Sequence, residues 1–129
     1  MTLPNHEVYA LRYATVARRR GQNFITPPDP HDGPMPMDYF VWVIRHGARV
    51  WLVDTGFNEA AARARGREFL RCPIDALKTL GISAADIQDV IVTHLHYDHA
   101  GNLRKLPHAR LHLQESELHY ACLLYTSDA

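Results

Sequence analysis

The stretch Thr93–Gly101 reads T-H-L-H-Y-D-H-A-G. Three imidazoles and one carboxylate fall between His94 and His99, directly after the apolar run Val90-Ile91-Val92. In extended backbone, side chains two positions apart point the same way, so His94 and His96 can converge on one point. If the chain then turns, Asp98 and His99 can face a second point close by. Imidazole nitrogens and a carboxylate oxygen form a borderline donor set suited to Zn²⁺ and compatible with Fe or Mn. Two such cations side by side can ionise a water and polarise a carbonyl or phosphoryl oxygen. A solvated histidine-rich loop needs neither this spacing nor this placement at the end of a strand.

The elements that must position this loop are readable on both sides of it. Glu7–Val16 is rich in β-branched and aromatic residues and reads as a strand. Arg18–Met37 carries five prolines and a glycine in its last part and reads as a long loop, a plausible rim or flap. Asp38–Arg45 and Arg49–Asp54 are apolar runs joined by His46-Gly47-Ala48, a hairpin signal. Both runs are apolar on both faces, which predicts a sheet covered on both sides. Asn58 is placed to cap a helix over Glu59–Leu70. Ile74, Leu77 and Leu80 recur at helical spacing before Gly81. Ser83–Asp86 opens a short turn, Gln88–Val92 is a buried strand, Ala109–Leu113 is another, and Gln114–Ala121 reads as a helix. Strands and helices alternate after two opening strands, with no repeat and no linker.

Composition narrows the function classes. The 129 residues suit one small domain. Lys+Arg and Asp+Glu are 14 each, so no basic surplus points to nucleic acid or an anionic membrane. The N-terminus lacks the charged and apolar regions of a signal peptide, and no apolar run is long enough to span a bilayer. Cys72 and Cys122 show no motif spacing, and a cytoplasmic location is the expectation. His108, His112 and His119 have no partner at ligand spacing. Tyr97 reads as packing or pocket wall. Phe24, Met35 and Met37 are candidates for an acyl-chain pocket, with tucked loop residues an equal reading.

The segment H94-L-H-Y-D-H99, followed by Ala100-Gly101, resembles the signature of the metallo-β-lactamase superfamily. L52-V-D-T-G56 resembles that family's second short motif. The text from Asp29 to Ile44, with Arg71-Cys72-Pro73-Ile74-Asp75, is similar to that of N-acyl homoserine lactonases. The resemblance implies an α+β fold, an αββα sandwich with the metal site along one edge of the sheets. His94 and His96 would bind a first Zn²⁺, and Asp98 and His99 a second. Asp98 would also be catalytic, passing a proton to the leaving alkoxide. Asp54 would orient a histidine by hydrogen bond. The implied substrate is a small molecule, an acyl lactone; glyoxalase-II-like thioesterases share the loop, so a thioester stays open.

The family pattern also requires a third histidine, a bridging aspartate and a final histidine further on. The chain ends thirty residues after His99. The expectation is therefore the N-terminal half of a sandwich over residues 1–121, with weak metal binding and negligible catalysis by this stretch alone. Residues 122–129, C-L-L-Y-T-S-D-A, read as a translated sequencing adapter rather than native chain.

Overall fold

The computed structural model describes residues 2–26 and 30–127, with no description of the side chains of 124–127. Residues 27–29 of the proline-rich loop and residues 128–129 of the expected adapter tail lie outside it. Six strands form one mixed sheet in the order β4-β1-β2-β3-β5-β6. They are β1 (Glu7–Val16), β2 (Met37–His46), β3 (Arg49–Val53), β4 (Glu68–Phe69), β5 (Asp89–Val92) and β6 (Arg110–Leu113). β1, β2 and β3 form an antiparallel meander, whereas β5 joins β3, and β6 joins β5, in parallel. The hairpin turn uses Gly47 at φ +58, as a tight β2–β3 connection requires. Among the described residues there are two α-helices, α1 (Glu59–Ala64) and α2 (Glu115–Ser127), besides short 3₁₀ turns. α2 continues through residue 121 without a break.

One face of the sheet holds the core. Tyr39, Val41 and Val43 of β2, Leu52 of β3 and Val90 and Val92 of β5 are buried there under Phe57, Ala62, Ile74 and Leu77. Strand β1 contains a bulge between Arg12 and Ala14. It lets both Tyr13 and Ala14 reach the buried side.

Among the described residues the opposite face lacks the cover that its apolar residues call for, as expected of the N-terminal half of a sandwich. Val8, Phe40 and Trp42 are 61%, 37% and 44% exposed, on the face that alternates with the core. Two helix expectations change. The helix expected over 59–70 stops at Ala64, because Gly66 at φ +65 turns the chain and Phe69 then pairs with Ala14 of β1. Asn58 does cap it, its Oδ1 accepting from Ala61 N–H at 2.9 Å. Ile74, Leu77 and Leu80 are spaced by three, and the chain over Asp75–Leu80 is accordingly a 3₁₀ helix, which repeats every three residues. Gly81 ends it at φ +71, as expected. Among the described residues no helix is long and apolar enough to cross a membrane.

A buried carboxylate fastens the parallel edge. Asp89 Oδ1 accepts from Arg110 Nε and His112 Nε2, both at 2.9 Å. These bonds, that of His112 foremost, hold the Asp89 carboxyl below its ordinary range. A carboxyl with a depressed folded-state pKa stabilises fully above its unfolded value, about 3.9, and loses that contribution as pH falls through the folded value. Asp89→Asn is therefore expected to lower the melting temperature at neutral pH and to flatten its decline in acid. Melting curves between about pH 7 and pH 2 check this; parallel declines for the two proteins would refute it.

Candidate metal centre

Strands β3 and β5 are parallel neighbours, so their C-terminal ends open on the same edge of the sheet. The segment Asp54-Thr55-Gly56 leaves one, and Thr93–Gly101 leaves the other. Backbone bonds stitch the two together. Thr55 N–H donates to His99 O at 2.8 Å, and its hydroxyl donates to the same oxygen at 3.1 Å. Gly101 N–H donates to Gly56 O at 2.8 Å. Buried Asn102 donates from Nδ2 to Thr55 O at 2.8 Å. From below, Tyr13 donates its hydroxyl to Asp98 O at 3.2 Å. Burial pushes that phenol's pKa well up, which keeps it a donor. From the far side, Glu117 of α2 accepts Leu95 N–H at 2.9 Å.

The close approach leaves no room for side chains at the two glycines. A Cβ on Gly101 would stand 2.6 Å from Gly56 O and 2.9 Å from Phe57 Cα. Gly56, at φ +68, would press a Cβ against Tyr13 at 2.8 Å.

Asp54 is the hub. It is buried and adopts φ +62, the left-handed region that Asp tolerates better than most residues. That twist turns its carboxylate across to the end of β5. Oδ1 accepts Thr93 N–H at 2.8 Å, and Oδ2 accepts His99 Nδ1–H at 2.7 Å. The Thr93 hydroxyl lies 2.8 Å from Oδ2 and 3.0 Å from Oδ1. With its Nδ1 held by Asp54, His99 presents Nε2 outward, 3.4 Å from Asp98 Oδ2.

The structure carries all four sequence-expected donors on one loop at this sheet edge and brings them close in pairs, Asp98 beside His99. The rings of His94 and His99 lie 3.9 Å apart between centroids, and those of His94 and His96 lie 4.6 Å apart. A cleft of about 520 Å³ opens beside His96, between Leu95, Leu103 and Tyr120. The donor chemistry suits a Zn²⁺-class cation. The count falls short: among the described residues, no group of three or more His, Cys, Asp or Glu side chains is arranged to hold a metal ion.

Other candidates lie elsewhere. His112 is engaged by Asp89, and His119 faces Glu115 at 3.8 Å along α2. Phe24, Met35 and Met37 do not line the cleft beside His96. Tyr97 packs, stacked on Phe57 at 5.6 Å with the Arg65 guanidinium 3.7 Å from its ring centroid. Burial and the neighbouring Tyr97 hydroxyl raise the pKa of Tyr39 beside it. Four residues with work at the loop escape a reading by motif: Tyr13, Thr93, Asn102 and Glu117. Thr93 and Asn102 flank the donor run and could be found by adjacency. Nothing local marks Tyr13 or Glu117, which arrive from other elements.

The chain belongs to the metallo-β-lactamase superfamily, whose family model matches residues 35–123. Within it, the chain is similar to proteins named N-acyl homoserine lactonase AttM. That of Agrobacterium fabrum (strain C58) is 42% identical over 103 residues, covering 70% of this chain and 38% of that protein. That of Rhizobium radiobacter is 42% identical over 48 residues, or 37% of this chain and 18% of that protein. The crystal structure of a quorum-quenching N-acyl homoserine lactone lactonase superposes with a TM-score of 0.72 at 20% identity, covering 95% of this chain and 51% of that one. A probable metal-dependent hydrolase from Staphylococcus aureus gives 0.71 at 20% identity, covering 92% of this chain and 50% of that one. The expected fold, the N-terminal half of the αββα sandwich, is borne out, and this chain spans about half the length of those structures.

Proposed function

We propose that this chain is the loop-bearing half of a two-metal hydrolase that opens the ring of N-acyl homoserine lactones. One observation supports the reading: four donor side chains leave one sheet edge on a single loop, close in pairs, and a buried carboxylate fixes the tautomer of one of them. Similarity to the AttM lactonases supports the lactone over other substrates.

His94 and His96 would hold one cation, and Asp98 and His99 the other. When bound, such a pair supplies Lewis acidity that makes water nucleophilic near neutral pH. The chain's own residues do the rest. Asp54 keeps the proton of His99 on Nδ1, so Nε2 is bare. Asp98, anchored through its backbone carbonyl by Tyr13, keeps its carboxylate 3.4 Å from His99 Nε2. There it takes the proton of the attacking water and returns it to the departing ring oxygen. The cleft beside His96 offers apolar wall for an acyl chain.

The test uses the whole protein, of the length of its relatives. It should hold about two transition-metal ions per chain and hydrolyse acyl homoserine lactones. Turnover confined to acyl-glutathione thioesters would replace the lactone with the thioester reading. Absence of bound metal would end both. Since the donors here converge pairwise, the present stretch alone is expected to bind Zn²⁺ weakly and to turn nothing over.

A further inference from the structure

The Thr93 hydroxyl has one proton and faces two polar side chains, the Asp54 carboxylate, whose Oδ1 is also within 3.0 Å, and the His94 imidazole. It lies 2.8 Å from Asp54 Oδ2 on one side and 3.0 Å from His94 Nδ1 on the other. A carboxylate only accepts, so the hydroxyl proton must go to Asp54. Were it given to His94 instead, a bare hydroxyl oxygen would face carboxylate lone pairs at 2.8 Å. The hydroxyl oxygen is then left to accept, and His94 must donate to it from Nδ1–H. The proton positions thus follow from the network of partners.

We infer that Thr93 is a positioning residue, relaying the Asp54 carboxylate to His94 and fixing that imidazole as its Nδ1–H tautomer with Nε2 bare. Asp54 therefore governs two of the loop's imidazoles: His99 by direct contact and His94 through one hydroxyl. The significance of a bare Nε2 on His94 rests on the metal-centre reading above; the tautomer itself does not. The arrangement matches what metal-ligating histidines generally need, a partner on the second ring nitrogen that sets the ring and its proton. Threonine supplies it with a β-branched, stiff side chain at the first position after β5.

The experiment reads imidazole nitrogens directly. Long-range ¹H–¹⁵N spectra of the metal-free protein near pH 8 are recorded for the unmodified chain, Thr93→Val and Thr93→Ser. Nδ1–H is expected for His94 in the unmodified and Ser proteins. Thr93→Val, which keeps the shape and loses the hydroxyl, should return His94 to the Nε2–H form that neutral histidine prefers in water. His99 should keep Nδ1–H in all three, since Asp54 holds it directly. A cobalt(II) titration then follows: Thr93→Val should bind roughly tenfold more weakly, and Thr93→Ser nearly as the parent does. An Nε2–H His94 in the unmodified protein overturns the relay, as does an unchanged His94 in folded Thr93→Val. If Thr93→Val fails to fold, the unmodified and Ser spectra decide. If the unmodified whole protein takes up no cobalt, the metal reading falls while the tautomer result still judges the relay.

Discussion

Replacing Asp54 with alanine is expected to cost the fold roughly 2–4 kcal/mol and to weaken metal uptake about 10- to 100-fold. The carboxylate accepts from Thr93 N–H, from the Thr93 hydroxyl and from His99 Nδ1. Truncation leaves these donors facing a cavity in a buried place, and an orphaned buried donor costs more than its bond was worth. Alanine also tolerates φ +62 less well than aspartate. Asp54→Asn separates the two effects. Asparagine tolerates the backbone and keeps one acceptor oxygen, so stability should recover in large part. It also brings an amide N–H where the site needs a pure acceptor, so tautomer control and metal affinity should stay impaired. Thermal melts and cobalt(II) titrations of both variants check this. Unchanged affinity in Asp54→Asn would show that the carboxylate is merely structural.

Gly101→Ala is expected to be as damaging, for a steric reason. Its new methyl would collide with the backbone of the neighbouring loop, 2.6 Å from one oxygen and 2.9 Å from one α-carbon. Backbone atoms cannot rotate away as a side chain can. The two loops must part, which breaks the bond from Gly101 to Gly56 and strains those from Thr55 to His99. A loss of about 3 kcal/mol or more follows, near 10 °C in melting temperature for a chain of this size. Gly47→Ala is the control. Gly47 also has positive φ, but nothing lies within 4 Å of its would-be Cβ, so only backbone strain of about 1 kcal/mol applies. Equal melting temperatures for the two variants would mean that the loops are not closely meshed.

The two loop motifs and the meander strands were legible in the sequence because each is dense in one signal. Four donors in six positions leave few alternatives, and β1 to β3 carry apolar runs with a glycine at the turn. The helix over 59–70 misled because Glu59–Ala64 is a good helix stretch and the stop is a lone Gly66. Phe69 then prefers the aromatic cluster around Phe57, 6.4 Å away, to further helix. The expectation of a doubly covered sheet rested on hydrophobicity alone. Phe40 and Trp42 are apolar as that reading requires, and among the described residues no element lies on them, which fits half of a sandwich. Adjacency to the donor run marks the residue Thr93, but not the part it plays. That part depends on the left-handed twist at Asp54, which aims a carboxylate across two strands, and sequence spacing carries no such angle.

The irregularity in β1 makes that strand a counting device. Before Tyr13 the odd-numbered residues Tyr9 and Leu11 turn toward the core, and after it the even-numbered Ala14 and Val16 do. Parity changes at one position, and the tyrosine there is the one that reaches beneath Asp98. Substitutions along Glu7–Val16 should therefore be tolerated far better than a one-residue insertion or deletion, which would turn half the strand inside out.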